Sequence, residues 1–227
     1  MRKYISLLVA AAFCLCSLRA SASSDQPVIR SGDPNSKRIA LTFDDGPHPY
    51  KTDAVLDLLR QYGIKATFFV IGENVSYYPE PLKRAVALGH EIGNHTYHHA
   101  LMSQACAQNV AEEIEMTEDI ILRTAGYRTK LFRPPEGAYN ENALSVIRSK
   151  DYRVILWTVD TRDWENTSAE DMVKTVMSGV RGGSILLFHD YMGKKSHAME
   201  ALRILIPKLL SQGYEFVTVS ELIDCGK

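Results

Sequence analysis

The chain has 227 residues, 45% of them hydrophobic and 23% charged, with a formal net charge of −1. That length suits one well-cored domain, and the composition excludes a disordered, collagenous or fibrous protein. The near-balanced charge gives no electrostatic case for nucleic acid.

At the N-terminus, Arg2 and Lys3 precede an apolar stretch from Ile5 to Leu18, followed by Ala20-Ser21-Ala22. This is the pattern of a secretory signal peptide over 1–22, and it predicts a secreted or cell-envelope protein. The stretch is shorter than the roughly 20 residues of a bilayer span, so no stable membrane insertion is expected after cleavage. Phe13 is too bulky for a typical lipoprotein site ahead of Cys14. Cleavage leaves Cys106 and Cys225, either as a disulfide or as two free thiols.

Residues 23–37 read as a linker or an arm packed on the surface, which leaves 38–227 as the domain. A first strand, Arg38 to Phe43, precedes a helix with Val55, Leu58, Leu59 and Tyr62 on one face and Gly63 at its end. Strand Ala66 to Ile71, helix Pro81 to Leu88 and strand Glu91 to Asn94 follow. A longer helix, Ser103 to Ala125, carries Val110, Ile114, Thr117 and Ile121 on one side and stops at Gly126. Further strands are expected near Lys130 to Arg133, Arg153 to Val159, Ser184 to Phe188 and Glu215 to Val219. Thr167 and Glu170 have capping-box spacing for a helix through Met177. Pro207 predicts a kink or a restart within the last apolar helix.

Seven strands alternating with helices predict an α/β fold with a parallel sheet covered on both faces. At this length a closed barrel is expected, with an open doubly wound sheet as the alternative. Polar clusters follow the first, third, fourth, fifth and sixth strands, and in a barrel those ends converge on one mouth.

The first cluster, Thr42-Phe43-Asp44-Asp45-Gly46-Pro47, sets two carboxylates side by side at a strand end. Neighbouring carboxylates repel, and a divalent cation relieves that repulsion. Alone, the segment could be a solvated turn. The second cluster, His95-Thr96-Tyr97-His98-His99, supplies imidazoles four residues apart, so one carboxylate and two histidines form a candidate metal triad. The remaining clusters are Arg133-Pro134-Pro135-Glu136-Gly137, Asp160-Thr161-Arg162-Asp163-Trp164 and Leu187-Phe188-His189.

In this order the five clusters resemble the motifs of the polysaccharide deacetylase family, also called the NodB homology domain or carbohydrate esterase family 4. The resemblance runs from about Arg38 to the C-terminus and implies a distorted (β/α) barrel with about seven parallel strands. It implies Asp44 as general base toward the attacking water, and Asp45, His95 and His99 as ligands of a catalytic metal. Zinc is the expected ion, with cobalt or another divalent ion as alternatives. By the same resemblance Arg133 orients the base, Asp163 tunes His189, and His189 is the general acid toward the leaving amine. Trp164 and Leu187 would line an acetyl pocket. Pro135 and the following residue would meet the substrate, with a backbone N–H at the oxyanion. That following residue is usually tyrosine; here it is Glu136, which puts a carboxylate at the mouth.

Several residues have plainer readings. His98 reads as a neighbour of the metal pattern, and His48, His90 and His197 as ordinary surface or core histidines. Trp157 is expected in the barrel core. Glu73 and Asn74 could touch substrate, although no motif supports it. The implied activity is removal of N-acetyl groups from amino sugars in an acetylated polysaccharide, peptidoglycan or chitin oligomers. The alternatives are an O-acetyl xylan esterase and a non-catalytic carbohydrate-binding protein. Non-haem iron oxygenases also use two histidines and a carboxylate, but they do not account for Asp44, His189 or the order of the motifs.

Overall fold

The computed structural model describes residues 28–191 and 196–224, so the signal-peptide segment 1–22 and Cys225 lie outside the described residues. No described helix is long and apolar enough to cross a membrane. Among the described residues eight short strands occur in chain order: β1 (Arg38–Asp44), β2 (Thr67–Val70), β3 (Glu91–Asn94), β4 (Leu131–Phe132), β5 (Arg153–Val154), β6 (Val159–Asp160), β7 (Ile185–His189) and β8 (Glu215–Val217). They pair in parallel in the order β5-β4-β3-β2-β1-β7-β6, and β8 pairs Arg38 to Ala40 of β1.

The two edges of that row, β5 and β6, belong to one stretch of chain. The single strand expected at Arg153 to Val159 is therefore two, pairing β4 at its start and β7 at its end. This segment closes the sheet into a distorted barrel. The break between its halves is filled from outside the predicted domain. Ile29 of the arm bridges Ile155, donating its N–H to Val154 O at 2.8 Å and accepting from Leu156 N at 2.7 Å. The arm is thus a structural part of the barrel wall and not only a surface segment.

Side chains alternate along each strand, as pleating requires. Ala40, Phe69, Leu131, Ile155, Ile185 and Val217 fill the barrel. Ile39, Leu41, Phe43, Phe68, Ile92, Leu186 and Phe188 pack outward beneath the helices. Both faces are buried, so the strands read as continuous apolar runs. Phe43 stacks on Phe68 at 5.1 Å between ring centroids. Full burial of such a side chain contributes roughly 1.5–3 kcal/mol.

The outer layer consists of α1 (Lys51–Tyr62), α2 (Gly72–Tyr77), α3 (Pro79–Ala87), α4 (Ala107–Ala125), α5 (Glu141–Ser149), α6 (Ala169–Gly179), α7 (Ala198–Ser211) and α8 (Val219–Asp224). Gly63 and Gly126 end α1 and α4 in the left-handed region, both at φ 64, as their sequence positions predicted. Elsewhere helix boundaries differ from expectation. α4 begins at Ala107 and not Ser103, because the Ser103 and Ala105 carbonyls accept from Asn140 Nδ2 at 3.1 and 3.3 Å. The cap of α6 is Ser168, whose Oγ accepts from Asp171 N at 3.1 Å, one residue beyond the expected Thr167–Glu170 box. Thr167 Oγ1 instead donates to Arg162 O at 2.6 Å. α7 continues through Pro207 without a restart. Arg203, whose carbonyl would have received the missing N–H, is exposed, so that carbonyl's loss of a partner is inexpensive.

Candidate active site

All five clusters meet at the C-terminal mouth of the barrel. A cavity of about 480 Å³ there is lined by Asp44, Asp45, His95, His99, Glu136, Trp157, Asp160, Trp164, Leu187 and His189. Register accounts for much of this convergence, since Asp44 of β1 pairs with His189 of β7, and Asn94 of β3 with Phe132 of β4. The last residue of β1, β6 and β7 and the first residue after β1 and β3 then line the mouth.

Asp45 and His99 have positive φ, 73° and 57°, as does Thr96 at 67°. Non-glycine residues in this region are strained and persist only where neighbours hold them. Asn74 Nδ2 donates to the Asp45 carbonyl at 2.7 Å. Glu113 on α4 clamps the histidine loop, with Oε2 accepting from Tyr97 N at 2.8 Å and His98 N at 2.9 Å. The His98 ring pairs with the other oxygen of Glu113 at 2.7 Å, so His98 supports the loop from its outer side.

His95 Nε2 and His99 Nε2 each lie 3.4 Å from Asp45 Oδ1, and the three donor atoms all fall within 4.8 Å of one another. A tetrahedral ion with bonds of about 2.0–2.1 Å has ligand–ligand edges of about 3.3 Å. Asp45 Oδ1 is buried without a hydrogen-bond partner among the described residues. His95 Nδ1 lies 2.7 Å from Arg133 O; a carbonyl only accepts, so Nδ1 carries a proton and Nε2, on the Asp45 side, is the nitrogen placed to ligate. These residues fit a divalent cation. Burial alone would raise the Asp45 carboxyl, but the imidazoles of His95 and His99 beside it hold it well below the usual carboxylate range. The Asp45 carboxylate in turn raises His99, against the opposing effect of burial.

Arg133 is fully buried inside the barrel. Its Nη1 donates to Asp44 Oδ1 at 2.6 Å and to Thr42 Oγ1 at 2.9 Å, and its Nε and Nη2 reach the Ile155 and Leu156 carbonyls at 3.3 Å. The guanidinium also lies over the Phe69 ring, 4.1 Å from the centroid. A buried charge held by this many partners fixes the direction in which Asp44 points. Across the mouth, Asp163 accepts from the His189 backbone N–H at 2.9 Å through Oδ2 and pairs with His189 Nδ1 at 2.7 Å through Oδ1. Burial opposes charging of that imidazole, but the hydrogen bond and charge of Asp163 outweigh it and raise His189 to about 9. His189 Nε2 is thereby left for a partner in the cavity.

The sequence model of the polysaccharide deacetylase family matches residues 31–155. The chain belongs to the polysaccharide deacetylase family. It is 42% identical over 195 residues to the peptidoglycan-N-acetylmuramic acid deacetylase PdaC of Bacillus subtilis, a match covering 86% of this chain and 40% of that longer protein. Among solved structures it is similar to the Bc1960 peptidoglycan N-acetylglucosamine deacetylase, with TM-score 0.84, 38% identity, and 88% and 94% of the two chains covered. It is also similar to a family 4 acetyl xylan esterase from Clostridium thermocellum in complex with a cobalt ion, with TM-score 0.76, 38% identity, and 82% and 89% covered.

Each residue that the motifs assigned to the site is near this mouth, but not all face the cavity. Pro135 is buried and starts the turn that carries Glu136, which is exposed at φ 57. Leu187 forms the floor, and Trp164, 51% exposed, stands at the rim. Trp157, expected in the core, packs partly against the barrel interior and also lines the cavity. Its place two residues beyond the inward-facing Ile155 was the available signal. Asn74 does not stand out as a substrate contact; it holds the Asp45 backbone. His90 is a core histidine accepting from Ala66 N at 3.2 Å, and His197 pairs with Glu200 at 3.0 Å, both outside the site. Cys106 is exposed.

Proposed function

We propose that this protein is an exported, metal-dependent deacetylase that hydrolyses the N-acetyl groups of amino sugars in a polysaccharide, either peptidoglycan or chitin oligomers. The observation that carries this reading is that one mouth holds the Asp45, His95 and His99 triad, the Asp44–Arg133 pair and the Asp163–His189 pair. A divalent cation bound by the triad supplies Lewis acidity toward an acetamide carbonyl and lowers the pKa of water.

The chain's own residues do the rest. Asp44, aimed by Arg133, accepts a proton from the water that adds to the acetamide carbon. The backbone N–H of Glu136 faces the developing oxyanion. Trp164 and Leu187 pack on the acetyl methyl and exclude bulk water. As the carbon–nitrogen bond breaks, imidazolium His189 gives a proton to the departing amine, and acetate and a free amino sugar result. The charged N-terminus, the short apolar run and Ala20-Ser21-Ala22 support export.

The likeness to an acetyl xylan esterase favours one second reading, O-acetyl hydrolysis at the same site. Acetate release measured side by side on chitin oligomers, peptidoglycan and acetylated xylan tests both. Higher kcat/KM on the N-acetylated glycans is expected, and a clear preference for xylan would replace the first reading by the second.

A further inference from the structure

Seven large hydrophobic side chains are exposed among the described residues: Tyr50, Tyr77, Met116, Trp164, Tyr191, Ile204 and Leu210. The aliphatic three lie on α4 and α7, on the outer layer. All four aromatics lie at the barrel mouth, on segments that follow β1, β2, β6 and β7. Scattered exposed apolar residues need no explanation, but segregation of the aromatic ones to the face that carries the site does.

Two of the four, Tyr50 and Tyr191, together with Tyr78, surround His48. Its ring centroid lies 6.0 Å from that of Tyr50, 6.2 Å from Tyr78 and 5.1 Å from Tyr191. Tyr77 extends the group beyond Tyr78, at 6.2 Å. Tyr50 and Tyr77 are 80% and 65% exposed, so their faces are open to a ligand. The cluster stands on the adjacent β7, β1 and β2 sector of the sheet, whereas Glu136 and Trp157 line the cavity from the β4 to β6 sector opposite.

The hub is also fixed to the catalytic strand. His48 Nδ1 accepts from Tyr50 N at 3.2 Å and Lys51 N at 3.3 Å, so the ring is neutral and held in place. His48 N donates to Thr52 Oγ1 at 2.7 Å, and Thr52 Oγ1 donates to the fully buried Asp190 at 2.5 Å. Asp190 N in turn donates to Asp44 O at 3.1 Å. A Cβ at Gly46 would lie 2.4 Å from both Asp190 oxygens, so glycine is what lets this carboxyl pack under the loop. From Asp45 to His48 is three residues, at most about 11 Å of chain.

We infer that His48, Tyr50, Tyr77, Tyr78 and Tyr191 form a second carbohydrate subsite. It takes the pyranose faces of the same glycan strand, some sugars away from the residue whose acetamide enters the cavity. Pyranose rings present flat arrays of C–H groups that pack on aromatic faces, with hydroxyls at the edge that suit a tyrosine O–H. The five side chains themselves are uncharged, which matches an uncharged sugar backbone, and at the edge Tyr77 O–H donates to Glu73 at 3.4 Å. Its continuity with the Asp44–Asp45 loop makes an extended glycan the occupant. This inference rests on the proposed glycan deacetylase reading.

The test is the dependence of kcat/KM on chain length for N-acetylglucosamine oligomers of two to six sugars. It compares wild type, a Tyr50→Ala/Tyr77→Ala double variant and a Tyr50→Phe/Tyr77→Phe variant. Wild type and the Phe variant should gain steeply with length. The Ala variant should lose on the order of tenfold on the hexamer, flattening the plot. Parallel plots for all three proteins would overturn the subsite. Calorimetric titration with cellohexaose, which has no acetamide, separates this inference from the function it rests on. Binding that the Ala variant loses and the Phe variant keeps supports the subsite even in a protein that releases no acetate. Binding equal in all three proteins, or absent from wild type, overturns it.

Discussion

Replacing Asp163 by Asn tests whether His189 acts as an acid whose charge is set by its neighbour. Asn has nearly the same shape and can still accept from the His189 backbone N–H that Asp163 Oδ2 holds at 2.9 Å, so the change removes charge more than contact. In wild type, burial pushes the imidazole down, and Asp163 supplies the first two of the opposing influences that bring it from 6.5 to about 9. That rise corresponds to about 3 kcal/mol in favour of the imidazolium. Without that carboxylate, burial is opposed only by the charges of Asp44 and Asp45, and the group should titrate near its ordinary value. A general acid must be protonated to work, so activity carried by His189 is present below its pKa and lost above it. At pH 8 the wild-type ring is mostly charged, whereas a ring at 6.5 is about 3% charged, so kcat/KM should fall by about thirtyfold. At pH 6 the deficit should be less than about twofold. The assay is kcat/KM for acetate release from pH 5 to 10, with circular dichroism and metal content checking the fold. The alkaline limb should move down by about two pH units. A limb that stays in place while the fold and metal are intact would refute the acid role of His189.

Three further outcomes follow from the same geometry. His95→Ala removes one of three ligands, and elemental analysis should find at least about tenfold lower metal occupancy, so full occupancy would contradict the ligand set. Asp44→Asn keeps an acceptor for Arg133 Nη1, so it should fold and hold metal yet lose roughly a hundredfold to ten-thousandfold in kcat; near-normal turnover would remove Asp44 from the base role. Glu136→Gln takes one negative charge from the cavity wall. N-acetylmuramic acid carries an ether-linked lactyl carboxylate on the ring carbon beside the one that bears its acetamide, and two charges about 4 Å apart in water repel by about 1 kcal/mol. The ratio of kcat/KM on muramic acid to that on glucosamine residues should therefore rise about fivefold. An unchanged ratio in digests of peptidoglycan would show that Glu136 does not sort substrates by charge.

Periodicity and punctuation made the scaffold legible from the residues. β1, β2 and β7 are apolar runs long enough to declare themselves, and Gly63 and Gly126 end their helices because an αL residue is the cheapest stop. The candidate site was legible for a related reason. Each of its clusters is local, a few polar residues at a strand end, and a parallel barrel brings all such ends together whatever lies between them. The failures were of two kinds. Where Thr167 and Ser168 compete for a cap, or Ser103 for a helix start, the choice is made by distant partners such as Asn140. Two-residue strands such as β5 and β6 have no period to read, so the broken strand that closes the barrel could not be separated from a continuous one.

The sequence by itself determined which ligating and proton-carrying side chains stand at the strand ends, because side-chain identity fixes what can ligate, accept or donate a proton. Tertiary structure alone decided how they are held. Ile29 completing the wall, Arg133 buried against Asp44, Asn74 on the Asp45 carbonyl and Glu113 on the histidine loop join residues from 15 to 126 positions apart. No local rule encodes such pairings, since they depend on register and on which buried polar groups would otherwise go unsatisfied.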